Sequence, residues 1–397
     1  ICVNKLTAWG ITNKWYWDTT TAAADKAAIA TWMTAKTGNG EPDVLILYGV
    51  FPETIYPPPN VQIDGSLAEL FIESTDGDMI LNHGDAMFYV TGAGTNNGYA
   101  GLQNMMDNTA ITQAADNTPM KLTAAGKAIA ASLNEFWSDR MWFPSQLKGE
   151  WYVEAALAKN HDGTRLEATI MRDGPRGRLM MLFQTNGQGW DPKGAVAAEV
   201  CSWIFGVNRG AAAGIGLRAA RPEILNWDNV TRTDSRPAMW VGDVLEVTVD
   251  LLEATGSGTV SASDVTVDLA TSSATGRFDT SATGSFDGSV TSVTIPAGAT
   301  YVDVYYRDLT AGTANLTATA VGLITGTRQV KVFARSFAPG GEVAFYTAAA
   351  SWTTTAVANA QSQISAAKLA ILGITSAIYP AIDDPVLLDE ADLAAWM

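Results

Sequence analysis

The sequence is short of cysteine, histidine and positive charge. Two cysteines in 397 residues exclude a disulfide scaffold and a four-thiolate metal cluster. Two histidines leave little for imidazole acid–base chemistry or a histidine-rich metal centre. Lys and Arg number 25 against 41 Asp and Glu, a formal net charge of −16. That balance argues against nucleic acid and anionic membrane as partners, because a polyanion is repelled. No apolar run reaches the ~18 residues that would indicate a membrane span. An initiator Met and a signal peptide are also missing. The expectation is a processed or excised segment, with any signal upstream of Ile1.

What is present is Thr, Ser, Gly and Ala in quantity, a composition expected of an extracellular or cell-surface protein. Apolar residues make up 47% and Trp 13 positions, enough for well-buried cores; the length fits two domains, or three. The chain also repeats itself. Ile364–Thr375, ISAAKLAILGIT, matches Ile1–Thr12, ICVNKLTAWGIT, at a constant spacing of 363 residues (Gly10 to Gly373). Tyr379 falls on Tyr16, and DEADLAAWM at 389–397 falls on DKAAIATWM at 25–33 after a one-residue gap. A repeat this far apart is a repeat of whole domains.

Residues 1–207 alternate strand and helix patterns. DVLILYG (43–49) and DMILN (78–82) read as buried strands. SLAELFIES (66–74) reads as a helix with Ser66 as N-cap and Glu69 completing a capping box. GYAGLQNMMD (98–107) and TAAGKAIAASLNEFWSD (123–139) read as helices, ATIMR (168–172) and RLMMLFQT (178–185) as strands, and DPKGAVAAEVCSWIFG (191–206) as a closing helix capped by Asp191. The expected fold class is α/β plus all-β: a doubly wound, mostly parallel sheet domain, then a β-sandwich. The first α/β copy is expected to lack its opening strand, which the second copy carries as EVAFYT (342–347) ahead of a helix over 354–372.

Residues 208–239, including NRGAAAGIGLRAARP, read as a Gly-rich linker. Residues 240–335 alternate apolar and polar positions in short runs, from VLEVTVDL (244–251) to RQVKVFA, the pattern of a β-sandwich. Residues 341–397 read as the first strand and helix of a next α/β repeat.

Several residue groups invite chemistry. Tyr48, His83, Asp85 and Gln184, with Gly49 and Thr185, would gather beyond the C-terminal strand ends, where open α/β sheets bind ligands. A histidine beside a carboxylate is acid–base machinery or the tie of a turn. Glu150 and Glu154 flank Trp151 and Tyr152 as a sugar-site pair or as a solvated edge. Cys2 and Cys201 would lie on neighbouring helices, either bonded or as two separate buried thiols. No metal cluster and no cofactor is expected; calcium at Asp264, Asp268, Asp279 or Asp287 is the alternative to four solvated acids. Asn229 and Asn315 match glycosylation sequons.

The strand–HGD–helix at 79–85, GPRGRLMMLFQT and the closing DPKGAVAAEVCSWIFG helix resemble the class I glutamine amidotransferase-like superfamily, in its ThuA-like, flavodoxin-like branches. The resemblance implies a nucleophilic Cys on an elbow after the central strand. His83 or Gly84 stands there instead, and the family's His-x-Glu pair has no match, so a catalytically silent domain is expected. VTIPAGATYVDVYYRDLTAGTANLTATA resembles bacterial immunoglobulin-like repeats of surface proteins and adhesins, which implies a spacer.

The leading expectation is a structural, extracellular protein built as a head-to-tail array or filament of copies of itself, either repeats of one longer covalent chain or separate copies that associate through the tail. Val343, Ala344, Phe345 and Tyr346 would form the assembly strand. The alternative is a surface enzyme or ligand-binding protein, carbohydrate-directed, working through the pocket at His83 and Asp85.

Overall fold

Side-chain chemistry sets the early elements. Ser66 Oγ accepts the Glu69 N–H at 3.1 Å, and the Glu69 carboxylate accepts the Ser66 N–H at 2.8 Å, so the expected capping box forms. Replacing Ser66 by Ala removes one half of it. We expect a loss of about 1 kcal/mol, measurable as a lower urea midpoint with unchanged slope; an unchanged midpoint would mean that the box does not hold the helix. The first helix ends at Gly10, in the left-handed region at φ +84°, while the Ile11 N–H bonds the Leu6 carbonyl at 2.9 Å. Glycine is suited to that position because it carries no Cβ.

The structure, a computed structural model, describes residues 1–13, 22–58, 65–83, 89–90, 95–96, 99–114, 118–138, 140–183, 192–219, 237–334, 341–344, 347–348, 374–378 and 381–382. It divides into two compact units, Ile1–Phe333 and Ala334–Met397.

In the first unit the elements run α1 (Cys2–Ala8), α2 (Ala23–Lys36), β1 (Val44–Leu47), α3 (Leu67–Glu73), β2 (Met79–His83), β3 (Tyr89–Val90), β4 (Thr95–Asn96), α4 (Tyr99–Met105), β5 (Gln113–Ala114), β6 (Thr118–Leu122) and α5 (Ala124–Ile129). Then come β7 (Phe136–Ser138), β8 (Met141–Trp142), β9 (Trp151–Lys159), β10 (Leu166–Asp173), β11 (Arg178–Leu182) and α6 (Lys193–Ile204). One sheet carries this lobe, in the order β1-β2-β11-β10-β9-β6-β7, with β8 on β10 and β5 on β8. Alternation along the strands splits the core between the two faces. Met79, Leu81, Met180 and Leu182 meet Cys2 and Leu6 of α1 and Val196 and Val200 of α6. Leu45, Leu47, Ile80, Leu179 and Met181 meet Ile29 and Met33 of α2 and Phe71 and Ile72 of α3.

The sheet corrects the expected doubly wound, mostly parallel domain. Among the described residues of this sheet only β1, β2 and β11 run parallel; β11, β10, β9, β6 and β7 pair antiparallel in succession. The cause is connection length. A tight DGPRG turn joins β10 to β11 and the Asn160–Arg165 turn joins β9 to β10, and short turns can join only antiparallel neighbours. The helix expected over 123–139 is also corrected. Thr123 does cap it, accepting the Gly126 N–H at 2.9 Å, but α5 stops at Ile129, and Phe136–Ser138 pairs with Thr118–Met120.

The sandwich is larger than expected, because the supposed linker contributes strands to it. Its elements are β12 (Ala212–Ala219), β13 (Ala238–Trp240), β14 (Val244–Glu253), β15 (Val265–Thr271), β16 (Arg277–Asp279), β17 (Ser292–Ile295), β18 (Tyr301–Arg307), β19 (Gly312–Thr319) and β20 (Gly326–Phe333). They form two sheets, β12-β14-β18-β16 and β13-β20-β19-β15-β17. Ile215, Leu217 and Ala219 enter the shared core with Val247, Val249, Val304, Tyr306, Leu316 and Val330. The glycines that suggested a linker serve close packing: a Cβ on Gly216 would lie 2.9 Å from the Leu252 side chain and 3.3 Å from Asp250 Cβ.

In the second unit, β21 (Gly341–Ala344) pairs in parallel with β23 (Ile374–Ile378), and β22 (Thr347–Ala348) with β24 (Ala381–Ile382). From Glu342↔Ser376 to Ala348↔Ile382 the pairs keep one register. The helix expected over 354–372 lies outside the described residues.

Candidate functional site: the buried junction of lobe and sandwich

Four cations, scarce in this chain, gather where the first lobe meets the sandwich. Arg218 sits on β12 opposite the core side chains of that strand. Its guanidinium grips Asp250 of β14 through Nε at 2.7 Å and Nη2 at 2.5 Å. It also donates to the carbonyls of Lys127 at 2.9 Å and of Ala130 and Leu133 at 3.1 Å each. It therefore closes the C-terminal end of α5 from outside, where carbonyls lack helical partners and favour a cation. Side chains of both partners are buried, 7% exposed for Arg218 and 2% for Asp250. Burial pushes the Asp250 carboxyl above its usual range, against the pull of Arg218.

Lys127 crosses the other way, from α5 to the sandwich. Its Nζ donates to both carboxylate oxygens of Asp303, at 2.9 and 2.8 Å, and to Glu246. Burial pulls its pKa down, but hydrogen bonds to Asp303 and Glu246 outweigh that and hold it above the ordinary lysine value. Arg209 links three segments, donating to Ser202 Oγ at 2.5 Å, to the carbonyls of Ile129 at 3.0 Å and Glu199 at 2.7 Å, and to Gly258 of the sandwich at 3.1 Å. Its guanidinium stacks 5.4 Å from the Trp9 ring. Lys5 of α1 donates to Thr255 O and Ser257 Oγ, both at 2.7 Å. The Glu253 carboxylate shapes that turn by accepting the N–H groups of Thr255 and Ser257 at 2.7 and 2.9 Å. Glu199, fully buried on α6, accepts from Ser132 Oγ at 3.1 Å, and burial raises its pKa.

A buried ion pair contributes little net stability, yet breaking one is costly, so such contacts select one geometry. The junction ties the lobe to the sandwich through these hydrogen bonds and ion pairs. Chemically it offers carbonyls and paired ions.

The sequence-predicted residues fall elsewhere. Tyr48 stands exposed just past β1 and hydrogen-bonds Cys2, while burial raises the Cys2 thiol pKa. His83 closes β2 beside Leu182 of β11, so Tyr48 and His83 both lie at the C-terminal ends of the parallel strands. Asp85, Gln184 and Thr185 lie outside the described residues, as do Phe345, Tyr346, Asn229 and Asp191. Val343 and Ala344 lie in β21. Cys2 and Cys201 are buried free thiols on the packed helices α1 and α6. Glu154 is held by Arg178, at 2.6 and 3.0 Å, with Arg172 at 3.4 Å, an ion-paired carboxylate on β9.

Three of the sandwich acids bind loop backbone, Asp279 and Asp287 within their own loops and Asp264 across to the loop after β17. Asp264 accepts the Ala297 N–H at 2.9 Å, Asp279 the N–H groups of Ser281 and Phe286 at 3.1 Å, and Asp287 that of Ser289 at 2.8 Å. Among the described residues no group of three or more His, Cys, Asp and Glu is placed to hold a metal ion. Among them also, no helix is long and apolar enough to cross a membrane. Sequence reasoning missed the junction. Its only advance signal was the set of single cations inside apolar stretches, Lys5 in CVNKLTAW and Arg218 in GIGLRAA.

No protein-family model matches the chain, and no curated protein matches it. Solved structures match in part. Domains 4 and 5 of the S-layer protein SbsC share 16% identity over 25% of this chain and 48% of that one, with a TM-score of 0.18. The D00-D0 domain of intimin shares 12% over 46% and 65%, with a TM-score of 0.19. A cohesin module of a Clostridium perfringens glycoside hydrolase shares 8% over 32% and 100%, also at 0.19. The chain spans less than half of the SbsC structure that it matches, and likenesses this slight assign neither a family nor an activity.

Proposed function

We propose that the protein is a structural, extracellular spacer, catalytically silent, whose rigid units join head to tail. The observation that carries this reading is the parallel ladder of β21 with β23. Through the repeat, Ile374–Ile378 corresponds to Ile11–Trp15 of the first lobe, and the stretch between the two tail strands corresponds to α1. Read through the repeat, the tail is the opening of a second copy of the first lobe, and in this reading its strand completes the sheet of the neighbouring copy. The fixed junction supports the reading, since a spacer transmits position only if its parts keep one orientation. Contacts that pair one end of a molecule with the other do not close unless the rotation allows a ring, so open arrays result.

Light scattering across a concentration series tests this. The full chain is expected to grow in mass with concentration, and a chain without residues 341–397 to stay at the mass of one copy. Equal behaviour of the two would remove the role of the tail. Hydrolysis of an amide, ester or glycoside that disappears with His83→Ala or Asp85→Ala would overturn the silent reading.

A further inference from the structure

We propose that the first lobe binds a structural water molecule inside its core, held by Trp142 of β8, Thr169 of β10 and Gln113 of β5. It concerns the lobe alone and stands whatever joins one copy to another. Two atoms carry the inference. Among the described residues, the Trp142 indole Nε1 and the Thr169 hydroxyl are buried and have no hydrogen-bond partner. The two residues are 2% and 0% exposed. A buried polar group without a partner is destabilising, and native cores satisfy nearly all of them through protein or ordered water.

Strand register brings these groups together. Trp142 stands opposite Gln113 where β8 pairs with β5, so the two share a face of the sheet. Gln113, itself buried, donates through Nε2 to Met181 Sδ at 3.0 Å. Met181 is in turn the direct cross-strand neighbour of Thr169, where β11 pairs with β10. Directly opposed side chains share a face and lie roughly 5 Å apart at Cβ. The Gln113 amide therefore reaches from Trp142 to the neighbour of Thr169. Trp142 also meets β10 itself, at Leu166. Trp142 and Met181 both belong to the core face that packs α2 and α3.

The chemistry of the atoms selects the ligand. An indole N–H can only donate, so it turns away a metal cation. An anion is strongly disfavoured in a core face built from Leu45, Ile80, Met171 and Met181. Water accepts from the indole and both donates to and accepts from the hydroxyl and the amide. Cores hold on the order of one buried water per 27 residues, each making about three hydrogen bonds, and this spot offers three partners. Such a water has a mechanical part. Among the described residues β8 joins β10 through the single pair Leu166↔Trp142, and joins β5 at Gln113 and Ala114. A water bonded to β5, β8 and β10 at once adds a cross-link where the main-chain ladder is short.

A crystal structure of the full chain, at a resolution that shows ordered solvent, is the first test. A water within hydrogen-bond distance of both Trp142 Nε1 and Thr169 Oγ1 is expected. A protein group bonded to either atom, or no solvent between them, overturns the proposal. Urea unfolding of Thr169→Val, which keeps the shape and removes the hydroxyl, is the second. Loss of a partner to the water should lower the midpoint. If the hydroxyl is simply unsatisfied, its removal leaves the midpoint unchanged or raises it, and the proposal fails. Trp142→Phe should lower the midpoint too, and the double variant should lose less than the sum of the two, because each change breaks the same bridge. Additive losses would show that the two groups share no water.

Discussion

Replacing Arg218 by Ala is expected to lower unfolding stability by about 3–5 kcal/mol, the cost of leaving a buried partner charge uncompensated. The substitution strands Asp250, 2% exposed, and leaves the carbonyls of Lys127, Ala130 and Leu133 without this donor. Urea unfolding measures the loss. The double change Arg218→Met with Asp250→Leu is expected to recover most of it, because removing both charges ends the desolvation cost. A loss below about 1 kcal/mol in the single variant would show that Arg218 is not held as described. Small-angle scattering adds a structural readout. The single variant should broaden the distance distribution of a 1–333 unit that is otherwise fixed at its junction.

Asp78 is expected to make stability fall as pH rises. Burial pushes its carboxyl up from 3.8 to about 6, opposed by hydrogen bonds from the Asp43 N–H at 2.8 Å and Ser74 Oγ at 2.9 Å and reinforced by the charges of Asp43 and Asp76. The folded state therefore holds this proton more tightly than the unfolded chain. The stabilisation is complete below the unfolded value and is lost as pH rises through about 6. The full difference corresponds to about 3 kcal/mol, of which about 1.4 kcal/mol falls between pH 5 and 7.5. Asp78→Asn keeps an acceptor for the Asp43 N–H and removes the titration. Its stability should exceed that of the parent at pH 7.5 by more than at pH 5. A pH-independent difference would mean that Asp78 titrates normally.

The parts of the fold legible in the sequence were those fixed by local chemistry. The Ser66–Glu69 capping box, the Thr123 cap and the apolar runs of β1, β2 and β11 needed nothing beyond their own residues. The sandwich strands from Val244 onward showed a clean period of two. What failed was decided by distant partners. The Ala-rich stretch after Thr123 looks helical throughout, but Phe136–Ser138 finds β6, and pairing overrides propensity. Gly214 and Gly216 look like breakers; in the sheet they give room to Ile324 and Leu252. The junction was the least legible part. Arg209 and Arg218 bond to carbonyls, and a carbonyl leaves no mark on residue type. Of the site expected at the strand ends, Tyr48 and His83 do share one end of the parallel strands, while Asp85 and Gln184 lie outside the described residues.

The central claim, that the tail strand of one copy completes the sheet of the next, is tested most directly by electron microscopy of the full chain at rising concentration. The expected result is unbranched arrays with a uniform axial repeat of one copy, absent from the Val343→Pro, Ala344→Pro variant under the same conditions. Isolated single particles at every concentration, or closed pairs that persist in the variant, would contradict it.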